Sequence, residues 1–191
     1  MLQLKMLRPA GPVISRALPE GFHYAGYEGT ESELTEWLDM CYKGQLLPEK
    51  PPESGNYRDW FKVTVLDYAD LNPDEDIIFV IAPDGRRAAS ICAVKHGEDQ
   101  GYIHMVAAHP DFRGRGIGHA MLAHALEKLE ARSCTYSILT TDDFRLAAIK
   151  TYLDAGFRPV LWADPESDQR ARWDAVIAQL GYEPVEYFDE V

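Results

Sequence analysis

The sequence predicts an α/β fold in which about six to seven strands form a sheet flanked by helices. A buried strand at residues 102–108 runs through a glycine-rich turn into a helix that begins at Ile117. Before it, two apolar runs on either side of Pro83-Asp-Gly-Arg86 predict a β-hairpin. We expect a single domain over residues 1–191, because a chain of this length can bury its core without a second domain.

Three elements are predicted before the hairpin. Residues 2–9 and 21–27 each read as a short strand, with proline and glycine breakers between them. Thr30-Glu-Ser-Glu33 is typical of a capping box and predicts a helix that ends near Gly44. A proline-rich loop follows, and the segment 57–66 fits a helix or a strand equally well by periodicity.

The strands of the hairpin are predicted at residues 77–82 and 88–95, and with the central strand they make three antiparallel strands in sequence. After the helix from Ile117, further strands are predicted at residues 136–141 and 157–162. An amphipathic helix within residues 165–180, closed by Gly181, then completes the chain.

The glycine-rich turn has the chemistry of an anion site. Gly114, Gly116 and Gly118 lie where the free amides of a helix N-terminus converge, and Arg113 and Arg115 add positive charge. Oriented amides and the helix dipole both favour a diphosphate there. The spacing fits neither a nucleoside-triphosphate loop nor a dinucleotide fingerprint, although glycine turns before helices also occur without any function.

Two motifs around this turn carry a family resemblance. Arg113-Gly-Arg-Gly-Ile-Gly118 resembles the Arg/Gln-x-x-Gly-x-Gly/Ala signature of the GNAT (GCN5-related N-acetyltransferase) acyltransferases, which wraps the pyrophosphate of acetyl-CoA. Ala148-Ile-Lys-Thr-Tyr-Leu-Asp-Ala-Gly-Phe157 is similar to the next motif of that family. The resemblance implies a GNAT fold with a mixed central sheet. Its core motifs cover residues 77–161, and a C-terminal helical extension at 164–191 lies outside them.

The resemblance also implies which residues hold acetyl-CoA. The central strand should bulge, so that the backbone amides of Val106 and Ala108 meet the pantetheine arm and the acetyl carbonyl. Arg145 stands where many members have asparagine, and it either touches a CoA phosphate or pairs with an acid. The remaining cofactor residues are those of the loop: Arg113, Gly114, Arg115, Gly116, Ile117 and Gly118.

Two side chains are candidates for catalysis. Tyr152 matches the family tyrosine near the thioester sulfur and would protonate the leaving thiolate, unless it is only a packed core residue. His104 alternates onto one strand face with Tyr102 and Val106, close to where relatives place a base, although a strand histidine is more often structural.

Charge limits the classes of partner. A net charge of −12 argues against nucleic acid, which requires a basic surface. The 31 acidic residues against 19 basic ones would attract a cationic amine, although such an excess can serve solubility alone. Glu31, Glu33 and Glu36 in the first helix are alternative acceptor contacts, or simply a solvated helix face.

The cysteines and histidines indicate neither a disulfide framework nor a metal site. Cys41, Cys92 and Cys134 are isolated, and His109, His119 and His124 lack metal-ligand spacing, so we expect no metal. No run of 18 apolar residues is present, so we expect no membrane contact and a cytoplasmic location. The C-terminal helix is interpreted as a lid or a homodimer contact in preference to a substrate site.

Together these features predict a transferase that moves an acetyl group from acetyl-CoA directly to a primary amine of a small molecule. The alternative is a CoA-binding module of the same fold without turnover, acting as a sensor or a partner subunit. Both interpretations keep the glycine loop, and they differ at the acceptor side.

Overall fold

The computed structural model describes residues 3–47, 59, 62–67, 70–162 and 167–189. Its strands are β1 (Leu4–Pro9), β2 (His23–Ala25), β3 (Ile77–Ile81), β4 (Arg87–His96), β5 (Gln100–Ala108), β6 (Tyr136–Thr141), β7 (Arg158–Leu161) and β8 (Phe188–Asp189). Its α-helices are α1 (Glu31–Lys43), α2 (Pro73–Asp76), α3 (Ile117–Ala131), α4 (Leu146–Asp154) and α5 (Gln169–Leu180), with a 3₁₀ turn at Pro110–Phe112.

All these strands form one mixed sheet in the order β2-β3-β4-β5-β6-β1-β7-β8. Neighbours are antiparallel except for β5 with β6 and β7 with β8, which are parallel. The predicted α/β fold, the antiparallel β3-β4-β5 unit and the extra C-terminal helix are confirmed. The two-residue strand β8 is an addition that the sequence did not predict.

Helix α1 begins and ends where its capping signals indicate. The side chain of Thr30 accepts a hydrogen bond from the Glu33 amide at 3.1 Å, and the helix ends at Gly44. In a full capping box the Glu33 carboxylate would accept from the Thr30 amide. Here it accepts from the amides of Glu28 and Gly29 instead.

The ambiguous segment at 57–66 is helical where the structure describes it, since Lys62–Leu66 forms one π-helical turn. Most of the rest of that segment, and most of the proline-rich loop before it, lies outside the described residues. Within the described part of the chain, no helix is long and apolar enough to span a bilayer.

Two apolar clusters cover the two faces of the sheet. The first packs α3, α4 and α5 against one face through Leu126, Leu153 and Trp173. The second packs α1 against the other face through Trp37, together with Phe79. We call these the α3-side cluster and the α1-side cluster.

Candidate active site

The sheet opens where its two central strands separate. β5 and β6 are paired in parallel only from Gln100 with Tyr136 to Tyr102 with Ile138. β5 then continues to Ala108 without β6 beside it. The result is a split whose two walls are β5 and β6.

A bulge shapes the β5 wall of the split. Cys92 of β4 lies opposite His104, but Ser90 lies opposite Ala107, so β5 has one more residue than β4 across this interval. Met105 adopts a positive φ of 49°, which is uncommon for a residue other than glycine. The bulge expected from the family resemblance therefore occurs, and it lies at Met105 and its neighbour.

The peptide groups predicted to meet the cofactor point into this split. The His109 amide donates to the Ala88 carbonyl of β4 at 2.9 Å. Alternate residues of a strand direct their backbone N–H groups to opposite edges. Since the N–H group of His109 points to β4, the N–H groups of Ala108 and Val106 point the other way, toward β6. Two backbone N–H donors of β5 thus line one wall.

The bulge also corrects one prediction about side chains. Tyr102 packs with the α1-side cluster, whereas Val106 packs with the α3-side cluster. The prediction that Tyr102, His104 and Val106 share one strand face is therefore wrong for Val106. The extra residue at Met105 reverses the alternation, as a one-residue shift does in any strand.

The glycine loop lies directly after β5 and leads into α3. Gly114 and Gly116 have φ values of +75° and +79°, and Gly116 is the N-cap of α3. A Cβ atom at either position would meet no other atom within 4 Å. The backbone of both glycines is therefore open beside the start of α3, where the first helical amides lack intrahelical partners, and this is the form of an anion cradle.

Arg113 and Arg115 belong to this loop and Arg145 precedes α4, and each of the three has a protein partner. Arg113 Nη2 donates to the carbonyl of Gly44 at 3.1 Å. The guanidinium of Arg115 lies 5.6 Å from the centre of the Phe112 ring. Arg145 donates from Nε to Asp142 at 2.8 Å and from Nη2 to the Leu46 carbonyl at 3.3 Å. Of the two alternatives for Arg145, the structure shows the acidic partner.

Tyr152 projects from α4 into the core and is only 6% exposed. Its ring centre lies 6.1 Å from that of Phe157. Burial raises the pKa of Tyr152 well above its usual value, and the charge of Arg145 partly opposes that effect. The hydroxyl is thus protonated at neutral pH, and its catalytic role stays a prediction.

His104 lies on the α1 side of β5, where its ring stacks on that of Tyr102 with 5.3 Å between centres. Burial lowers the pKa of His104 to about 4, with a smaller contribution from His96. The imidazole is therefore neutral at physiological pH. Sequence reasoning missed the neighbouring pair of His96 Nδ1 and Asp70 Oδ2, 2.8 Å apart, because 26 residues separate them.

Among the acidic residues of α1, Glu33 differs from what the sequence predicted, whereas Glu31 and Glu36 are exposed. Glu33 is fully buried, and its carboxylate accepts from Arg87 Nη2 at 2.9 Å. Arg87 also pairs with Glu36. The interpretation of Glu33 as an acceptor contact is therefore wrong, because its charge is used inside the protein to join α1 to β4.

The three cysteines are buried and are not among the residues described at the split or the glycine loop. Cys41, Cys92 and Cys134 are buried free thiols, and burial raises the pKa of each one. Among the residues that the structure describes, no group of three histidine, cysteine, aspartate or glutamate side chains could hold a metal ion.

Solved structures share this architecture. A GCN5-related N-acetyltransferase from Sphaerobacter thermophilus superposes with a TM-score of 0.64 at 20% identity, over 82% of this chain and 47% of that one. The ribosomal-protein-S18-alanine N-acetyltransferase of Escherichia coli gives 0.55 at 18% identity, over 71% and 76% of the two chains. At these identities the likeness concerns the fold alone.

Sequence relatives agree with the fold. An acetyltransferase of Pectobacterium atrosepticum is 38% identical over 64 residues, which is 34% of this chain and 45% of the relative. A mycothiol acetyltransferase of Beutenbergia cavernae is 25% identical over 162 residues, covering 81% and 53%. The matches thus span about half the length of these relatives, or less. The sequence model described as the acetyltransferase (GNAT) family matches residues 32–157. The chain therefore belongs to the GNAT family of acetyltransferases.

Proposed function

We propose that the protein transfers an acetyl group from acetyl-CoA directly to a primary amine of a small molecule. The observation that carries this proposal is the junction of the β5–β6 split with the glycine loop at 113–118. Two backbone donors of one wall, from Val106 and Ala108, shortly precede the loop that forms the cradle at the start of α3. The two relatives described above are named as acetyltransferases, which supports the acetyl group as the one transferred.

The residues present fit acetyl-CoA. A diphosphate suits the cradle because Gly114 and Gly116 leave it open and because the N-terminus of a helix favours an anion. Arg113 and Arg115 supply positive charge at its edge. Near its start, β5 forms main-chain hydrogen bonds with β6. Beyond that point the same edge of β5 can offer such hydrogen bonds to the pantetheine arm. Acetyl-CoA itself supplies an activated thioester.

The chemistry assigned to the side chains follows from their protonation states. The acceptor amine forms a C–N bond to the acetyl carbon, the C–S bond breaks, and the amine loses a proton. Neutral His104 can take that proton, directly or through water, but its pKa of about 4 makes it a weak base. The protonated hydroxyl of Tyr152 can donate to the leaving thiolate. Donors at the bulge would stabilise the charge that develops on the carbonyl oxygen.

The acceptor is proposed to be cationic before it reacts. The protein carries 31 acidic and 19 basic residues, and such a surface gathers protonated amines. Since Glu33 is buried and Glu36 is paired with Arg87, the attraction comes from the wider surface more than from α1. A small amine or amino-group metabolite fits this charge better than a nucleic acid or a sugar phosphate.

The test is thiol release from acetyl-CoA across a panel of amines, with mass spectrometry of the product. We expect an acceptor-dependent rate and an N-acetylated amine, with no acetylated protein when the amine is omitted. KM for the amine should rise with salt, because exposed charges are screened over about 8 Å at physiological ionic strength. Affinity for CoA without turnover would instead indicate the binding module, and a preferred anionic acceptor would contradict the proposed substrate class.

A further inference from the structure

The turn that follows α1 joins the two walls of the split. We call residues Gly44–Leu47 the end turn. Arg113, which follows β5, donates to the carbonyl of Gly44 at 3.1 Å. Arg145, which follows β6, donates to the carbonyl of Leu46 at 3.3 Å. The arginines that follow the two wall strands therefore hold the same turn, at positions two residues apart.

The end turn also lies against the edge of β5 that faces the split. A Cβ atom at Gly44 would be 3.1 Å from the Ala108 carbonyl oxygen and 3.6 Å from its nitrogen. The peptide group of Ala108 points toward β6, so Gly44 contacts the edge that we assign to the pantetheine arm. The absence of a side chain at Gly44 permits this close approach.

We propose that Arg113 and Arg145 form a latch that holds the end turn across the mouth of the split, and that the CoA diphosphate opens it by taking over Arg113. This inference rests on the proposed acetyl-CoA site. It gives the two arginines different roles. Arg113 exchanges a carbonyl for a phosphate when the cosubstrate binds, whereas Arg145 stabilises only the closed form.

The energetics of the contacts favour such an exchange. The carbonyl of Gly44 offers the Arg113 guanidinium one neutral acceptor, whereas a phosphate adds its own negative charge and can accept two parallel N–H bonds. Arg113 is exposed and begins the glycine loop, so it can turn toward an anion in the cradle. The end turn is itself strained at Gln45, whose φ is +61°. The turn also has backbone hydrogen bonds to Tyr42 and Cys41 and the buried side chain of Leu47, so the arginine contacts add to these interactions in the closed form.

The decisive measurement is the affinity of Arg145→Gln for CoA by calorimetry. If Arg145 closes the split, removing it relieves the cost of opening, and the dissociation constant should fall roughly three- to tenfold. If Arg145 were instead a phosphate ligand, the same substitution would weaken binding. Unchanged or weaker binding would overturn the latch.

Arg158→Gln is the matched control. Arg158 also donates to backbone carbonyls, those of Leu153 at 3.2 Å and Phe157 at 2.8 Å, but it lies on β7, away from the split. This variant loses the same charge and comparable contacts to backbone carbonyls, without the ion pair that Arg145 makes with Asp142, so its CoA affinity should stay within about twofold of the wild type. Should Arg145→Gln fail to fold, Arg145→Lys keeps the charge but cannot reach Asp142 and Leu46 together, and tighter binding is again expected.

Hydrogen exchange gives a second readout on the wild-type protein. The amides of Gln45, Leu46 and Leu47 donate to carbonyls of Tyr42 and Cys41 in the latched turn. Saturating CoA should make these amides exchange faster, and equal or slower exchange would contradict the proposal. Protein that binds CoA but releases no thiol with any amine would overturn the proposed function while leaving both tests of the latch valid.

Discussion

The hydroxyl of Ser90 donates to the carbonyl of Met105 at 3.2 Å and accepts from the indole nitrogen of Trp37 at 2.9 Å. Met105 is the residue of β5 with a positive φ, at the bulge that turns the Val106 peptide group into the split. A bulge leaves backbone groups outside the ladder, and burial makes an unsatisfied carbonyl costly. Ser90 thus stabilises the bulge and joins it to α1.

Replacing Ser90 with alanine should therefore destabilise the protein. The change leaves the Met105 carbonyl and the Trp37 indole without this partner, at about 1–3 kcal/mol for each buried group. We expect the free energy of unfolding in urea to fall by about 2–4 kcal/mol. Ser32→Ala, which removes an exposed hydroxyl that donates to Glu36, is the control and should change stability little. A loss below about 0.5 kcal/mol in Ser90→Ala would mean that the bulge does not depend on this bond.

Replacing Gly116 with valine should abolish CoA binding. The new side chain would occupy the open cradle, and a β-branched residue is disfavoured at a φ of +79°. Gly97→Val is a matched control, because Gly97 also has a positive φ of 57° with no atom near its missing Cβ, but it lies in the β4–β5 turn. Both variants should lose roughly 1–2 kcal/mol of stability, and only Gly116→Val should lose CoA affinity. Unchanged affinity in folded Gly116→Val would show that the cradle is not the diphosphate site.

Replacing Tyr152 with phenylalanine should preserve CoA affinity and lower kcat roughly ten- to thousandfold, the range for loss of an acid–base group. Burial keeps this hydroxyl protonated, so the substitution removes a donor and leaves the packing against Phe157 intact. Tyr136→Phe, which removes a hydroxyl that donates to Gln100 at 3.0 Å, should leave kcat unchanged. If both variants keep the wild-type kcat with chemistry rate-limiting, Tyr152 is only a core residue.

The features that were predicted correctly depend on signals between near neighbours. Alternation, a Pro-Asp-Gly turn and a capping threonine locate β3, β4 and α1, and the spacing of the glycines locates the start of α3. Each signal lies within a few residues of the element that it specifies. The order and type of elements could therefore be predicted from the chain alone.

The features that were missed depend on distant partners or on a single extra residue. Glu33 looked like a solvated charge because Arg87, its partner, is 54 residues away. Arg145 contacts Leu46 across 99 positions. The changed face of Val106 follows from a one-residue bulge, and nothing in the residue types of β5 marks where it falls.

The burial of His104 makes stability depend on pH. Its pKa is about 4 in the folded protein, against an ordinary value of 6.5. Between these values the unfolded chain binds a proton that the folded protein does not. Neutral His104 therefore adds its full contribution to the free energy of unfolding above about pH 6.5. That contribution is lost as the pH falls toward 4, because protonation of the unfolded chain favours unfolding. Its upper limit is about 3 kcal/mol.

Replacing His104 with glutamine should flatten this pH dependence. Urea unfolding of both proteins at intervals from pH 7 to 4 should show a wild-type loss that exceeds that of the variant by about 2–3 kcal/mol. The difference isolates His104, because His124, whose pKa is also lowered by burial, titrates in both proteins. Asp154, with a pKa of about 2, acts at lower pH. If His104 is also the base, the acid limb of kcat/KM should lie near pH 4 in the wild type. Parallel stability curves for the two proteins would show that His104 takes up its proton as readily in the folded protein as in the unfolded chain.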